Sequence, residues 1–159
     1  MGVSGSGKTT LASALARALA CPLIEGDDFH SAANVAKMAA GHALDDADRW
    51  PWLDRVGAAI SAAAKDGMAV AACSALKRVY RERLQGASDV PLMFVLLDAG
   101  AGELARRLDA RAGHYMPASL LDSQLATLER PGVGEWALTL DAGRSPDALC
   151  AEVLAWLAD

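Results

Sequence analysis

Near the start of the chain, Gly2-Val3-Ser4-Gly5-Ser6-Gly7-Lys8-Thr9 matches the phosphate-loop pattern G-x-x-x-x-G-K-S/T without a mismatch. Glycines at these spacings let backbone N–H groups turn inward around a polyphosphate. Lys8 can reach the β and γ phosphates, and the Thr9 hydroxyl can hold Mg²⁺. The candidate nucleotide contacts are therefore Gly2, Ser4, Gly5, Ser6, Gly7, Lys8, Thr9 and Thr10. The residues that follow place Leu11, Leu15 and Leu19 on one helical face. A glycine loop opening into a helix N-terminus is the anion site that the motif needs.

Further along, Glu25-Gly26-Asp27-Asp28-Phe29-His30 gathers carboxylates that could orient a hydroxyl nucleophile and organise Mg²⁺ through water. Asp27 is the candidate base. Asp28 reads better as part of a helix-capping turn, and His30 alone as a polar loop residue. Arg49 lies between an acidic cluster (Asp45, Asp46, Asp48) and two tryptophans, Trp50 and Trp52. The acids read as solvated surface, whereas aromatics can fix a guanidinium for bidentate carboxylate binding. Lys77 and Arg81, four apart on one helix face, could bind a second anion. Arg107 and Arg111 also share a face, and Gly113 beyond them offers a hinge. That segment reads as a lid whose arginines balance charge on a transferring phosphoryl group. Asp98 ends an apolar run as a metal-holding aspartate of an ATPase would, but no water-activating glutamate follows it.

These residues need a scaffold that brings them to one edge. Apolar runs at 22–24, 68–73, 92–97 and 136–140 alternate with helical stretches at about 31–40, 52–65, 76–85, 101–112, 117–130 and 146–157. Continuous rather than alternating apolarity marks strands covered on both faces. The pattern predicts an α/β fold with a doubly wound parallel sheet, whose ligands sit at the carboxyl ends of the strands. Pro117 and Pro146 suit first-turn positions, with Ser145 as a cap. The 159 residues, 53% hydrophobic and 22% charged, suit one domain spanning 1–159, with a lid at about 107–130. A net charge of −5 argues against a nucleic-acid surface. No apolar run approaches the ~20 residues of a membrane span. A phosphate loop stands where a leader would, and three scattered cysteines suggest reduced thiols in the cytoplasm.

Taken together, the motifs resemble the gluconate kinases, small phosphate-loop enzymes related in fold to shikimate and nucleoside monophosphate kinases. The resemblance rests on the phosphate loop, Gly26-Asp27 with His30, Asn34 with Lys37-Met38, and Leu44 through Leu53. It extends through Cys73-Ser74-Ala75-Leu76-Lys77 with Tyr80-Arg81, Arg107 with Arg111, and Gly113-His114. Leu120-Leu121, Ser123-Gln124 and Leu128-Glu129-Arg130-Pro131 complete it. It implies ATP- and Mg²⁺-dependent phosphorylation of D-gluconate on its terminal hydroxyl. It also implies roles for Lys8 and Thr9 at the nucleotide, and for Asp27 at the attacking hydroxyl. Asp27, His30, Arg49, Lys77, Arg81 and His114 become candidates for the acid, and Arg107 and Arg111 for the phosphoryl group. A related kinase of shikimate type and a nucleotide-binding module without catalysis stay open, as does a homodimer. Thr9 stands where serine is common in the family. Only Met1 precedes the loop, where a buried central strand is expected. The halves of the sheet are then expected to lack a common neighbour, with the functional protein carrying about ten more residues ahead of Met1.

Overall fold

The structure, a computed structural model, describes residues 1–109 and 120–158. The order is α1 (Lys8–Ala18), β1 (Leu23–Glu25), a 3₁₀ turn (Gly26–Phe29), α2 (Ala32–Ala39), α3 (Asp46–Ala63) and β2 (Val70–Ala72). It continues with α4 (Arg78–Gly86), β3 (Phe94–Asp98), α5 (Ala101–Asp109), α6 (Leu121–Thr127), β4 (Ala137–Asp141) and α7 (Pro146–Ala158). Strands and helices alternate where the apolar runs placed them. α3, however, starts six residues before the expected position, because Asp45 and Asp48 form a reciprocal capping box at its N-terminus. Pro51 sits inside this helix rather than opening it. Pro146 opens α7, and the Ser145 hydroxyl accepts the Ala148 N–H at 3.3 Å.

All strand pairing is parallel, but the single sheet is divided. β1 pairs with β2, β3 pairs with β4, and the two pairs form separate sheets. Each has its own core. Ile24 and Cys73 pack with Trp52, Leu53, Val56, Tyr80 and Leu84 from α3 and α4. Leu97 and Leu140 pack with Leu11 and Leu15 of α1 and Leu149 and Val153 of α7. α1 also touches β1 and β2, so it ties the halves together.

Between β2 and β3 runs an apolar slot of about 410 Å³, walled by Ala12, Leu15, Ile60, Ala72, Phe94 and Val95, among others. At its upper end lies the backbone of Met1 and Gly2. The Met1 amino group donates to the Val95 carbonyl, and Leu97 N–H donates to the Met1 carbonyl at 3.0 Å. This is the hydrogen-bond alternation of a parallel strand pair. On the other side Gly2 N–H donates to Ser74 carbonyl at 3.1 Å. Met1 and Gly2 thus occupy the interior strand position for the length of two residues, just where the chain enters the phosphate loop.

Candidate active site

The phosphate loop opens α1 as its sequence requires. Gly7 caps the helix at φ 95°, in the left-handed region that residues with a Cβ rarely adopt. Ser4 through Leu11 line one wall of an open cavity of about 410 Å³. Lys8 Nζ donates to the Val3 carbonyl at 3.0 Å, which folds its side chain back over the loop. The Ser6 hydroxyl is buried inside the turn with no hydrogen-bond partner among the described residues. A buried, unmet polar atom within a cradle of backbone N–H groups suits a polyphosphate. Thr9 Oγ1 donates to Glu25 Oε2 at 2.8 Å. A hydroxyl beside a carboxylate is the oxygen chemistry that Mg²⁺ takes, usually with retained waters, so these residues fit the cation.

The opposite wall comes from the ends of β1 and β2. The 3₁₀ turn after β1 presents Asp27 and His30 to the cavity. Gly26 lets that turn lie against β2, since a Cβ there would come within 2.6 Å of the Ala72 carbonyl oxygen. Trp52 fixes the turn from α3, donating its indole N–H to the Gly26 carbonyl at 2.7 Å. The same indole stacks on His30, with centroids 4.2 Å apart. Burial lowers the His30 pKa from its ordinary value, so the imidazole is neutral near pH 7, and its Nδ1 has no hydrogen-bond partner among the described residues. Arg49 enters from the first turns of α3. Met38 and Leu44 close this end and pack on Leu120, at the start of α6.

The basic candidates separate by position. Arg49 and Arg107 line the cavity, whereas Lys77 and Arg81 do not. Lys77 donates to Asp46 at 2.8 Å; this hydrogen bond holds the Asp46 carboxyl below its usual range and the Lys77 ammonium above its own. Arg81 is 2% exposed. Its guanidinium grips Glu135 with two N–H groups and donates to the carbonyls of Ala75, Leu76 and Glu129. A guanidinium so enclosed organises the loop after β2 and does not face an acid in the cavity, which corrects the helix-face expectation. The supposed surface acids are also engaged: Asp48 takes Lys37 at 2.5 Å, and Asp46 takes Lys77 and Tyr80. Asp98 accepts two N–H groups from Arg130, so it has a cation of its own chain. Arg107 pairs with Glu103 at 2.7 Å and donates to the Ala142 carbonyl at 2.8 Å. Arg111 and His114, with the hinge Gly113 and Pro117, lie outside the described residues.

Three polar cavity residues had no assigned role in the sequence. Gln124 of α6 accepts the Ser4 N–H at 2.7 Å, tying that helix to the phosphate loop. Ser74 follows β2 and Arg144 follows β4. The rule that ligands gather after parallel strands, applied to β4 as it was to the others, would have pointed to Arg144. Nothing in the residue pattern marks Gln124, because its partner is a backbone group. Cys73, beside the cavity, is buried and its thiol is pushed up to about 12, which makes it inert packing. Among the described residues no three His, Cys, Asp or Glu side chains gather as a protein-only metal site. No helix among them is long and apolar enough to cross a membrane.

The AAA domain family matches residues 1–131. A gluconokinase from Gluconobacter oxydans (strain 621H) is 51% identical over 155 residues, covering 97% of this chain and 86% of that protein. Among solved structures, a sugar kinase from Janibacter sp. HTCC2649 superposes with a TM-score of 0.92 at 43% identity, covering 99% of this chain and 91% of the other. A gluconokinase from Sinorhizobium meliloti 1021 gives a TM-score of 0.87 at 43% identity, over 99% and 89% of the two chains.

Proposed function

The chain belongs to the gluconokinase family, and from that premise we propose that it transfers the γ-phosphoryl group of ATP to the terminal hydroxyl of D-gluconate, giving 6-phospho-D-gluconate and ADP. The carrying observation is the two-walled cavity. A phosphate loop forms one wall, and Asp27, His30 and Arg49 form the other.

The residues divide the work. Backbone N–H groups of the loop and the Lys8 ammonium hold the polyphosphate and balance its charge. Thr9, with Glu25 beside it, would hold Mg²⁺, which supplies charge neutralisation at the β and γ oxygens when bound. Arg49 binds the carboxylate of gluconate, and His30 meets its hydroxyls with a neutral ring. Asp27 accepts the proton of the terminal hydroxyl as that oxygen bonds to the γ phosphorus and the bond to the bridging oxygen of ADP breaks. Arg107, which lines the cavity, would balance charge on the transferring phosphoryl group together with Arg111, and His114 would meet the acid. The apolar cap of Met38, Leu44 and Leu120 favours a water-poor site, which protects the phosphoryl group from hydrolysis. The free cysteines agree with action in a reducing cytoplasm.

The test is a coupled ADP-release assay with D-gluconate, shikimate and a neutral polyol as acceptors. Turnover with gluconate alone is expected, and Asp27→Asn should lower kcat by about 10²–10⁴-fold with the KM for ATP little changed. Turnover with shikimate in preference to gluconate would overturn the assignment.

A further inference from the structure

Three described arginines line the cavity, and two of them have a carboxylate partner within the chain: Arg107 shares Glu103 with Arg106, and Arg144 pairs with Glu152. Arg49 forms no ion pair among the described residues. It is nevertheless held. Its Nη1 donates to the Tyr80 hydroxyl at 3.0 Å, and its guanidinium carbon lies 5.3 Å from the Tyr80 ring centroid. Tyr80 is 1% exposed, wedged between α3 and α4 with the edge of Trp50 against it at 5.6 Å.

The direction of these bonds is fixed. The Asp46 carboxylate already accepts from Lys77, and an ionised carboxylate can only accept. The Tyr80 hydroxyl must therefore donate its proton to Asp46, which leaves an oxygen lone pair turned toward Arg49. Elsewhere this chain orients arginines with bidentate carboxylates, as in Arg83 on Asp54 and Arg130 on Asp98. Such a partner aims a guanidinium but cancels its charge. A phenol aims it and leaves the charge in place.

We propose that Tyr80 is a positioning residue for acid recognition: a neutral relay from the Asp46–Lys77 pair that fixes Arg49 while keeping its charge for the carboxylate of the substrate. This rests on the reading of Arg49 as the carboxylate binder, and it gives Lys77 a part that does not need contact with the acid: Lys77 pairs with Asp46, the carboxylate that accepts the Tyr80 hydroxyl.

A double-mutant cycle tests the relay. Arg49→Ala, Tyr80→Phe and the double variant are compared in steady-state kinetics for D-gluconate and ATP, with melting temperatures alongside. Tyr80→Phe should raise the KM for gluconate about 10-fold, the scale of a lost hydrogen bond to a charged group. The KM for ATP should stay within about 2-fold, and the phenylalanine should add nothing in the Arg49→Ala background, because coupled residues are not additive. An unchanged KM for gluconate in Tyr80→Phe, while Arg49→Ala raises it, overturns the relay alone. Equal effects of Tyr80→Phe with and without Arg49 overturn it too, because the tyrosine then acts through the fold. If Arg49→Ala leaves the KM for gluconate unchanged, the carboxylate reading itself falls and the relay with it. Should Tyr80→Phe not fold, Asp46→Ala removes the acceptor that fixes the hydroxyl and is expected to raise the same KM. No rise there counts against the proposal.

Discussion

Arg81 shows how far residue spacing carries and where it stops. Four residues from Lys77 on one helix, it has the placement of an anion binder, yet burial and a carboxylate decide its use. Glu135 lies more than fifty residues away in sequence, at |i−j| = 54, so no local pattern could reveal it. Arg81→Ala is therefore expected to destabilise the fold by about 3–5 kcal/mol, the cost of leaving the partner of a buried pair alone. Urea unfolding measures this, with any loss of gluconate affinity following loss of fold. Arg49→Ala should do the reverse, raising KM with little change in stability. The residues that the sequence did place at the cavity share one property. Gly5, Gly7, Lys8, Thr9, Asp27 and Arg49 act through their own position on a loop or helix end. Those that it misplaced or left without a role, Lys77, Arg81 and Gln124, are defined by partners distant in the chain.

At the scale of elements, the short 3₁₀ turn after β1 carries Asp27 to the cavity, and its placement depends on a missing side chain. With a Cβ at residue 26 forced to within 2.6 Å of a backbone oxygen of β2, the turn must move outward. Gly26→Ala should therefore lower kcat at least about 10-fold, since small displacements of reacting groups are costly. Overpacking should also cost about 1–3 kcal/mol of stability. Kinetics and thermal melts on one sample check both, and normal turnover would show that Asp27 is not aimed by this packing. The helices and strands were legible because apolar runs and helical periodicity are local signals. The start of α3 was not, because Asp45 and Asp48 look like surface charge until each is seen bonding the other's backbone N–H. Pro51 lies in the second turn of this helix.

For the whole molecule, the feature with the widest reach is the slot between the half-sheets. Met1 and Gly2 carry the backbone hydrogen bonds that span it, two to β3 and one to the loop after β2. The alternating pattern foretold the parallel strands, but the halves were expected to lack a common neighbour and have a short one in Met1 and Gly2. The width of the slot and its lining are tertiary facts. The division also sorts the cavity lining. Asp27, His30, Arg49 and Ser74 belong to the β1–β2 half, whereas Ala142, Arg144 and Leu149 belong to the β3–β4 half. The phosphate loop and α1 join them. Amide hydrogen exchange should therefore report two separately opening units, one with Val70–Ala72 and one with Phe94–Asp98. A non-hydrolysable ATP analogue should slow exchange in both together, and one uniform rate across the strands of the unliganded protein would refute the division. The phosphate loop, tied to both halves through Met1, Gly2 and α1, is then the hinge-pin of the molecule: whatever seats on it bears on the hydrogen bonds of both sheets at once.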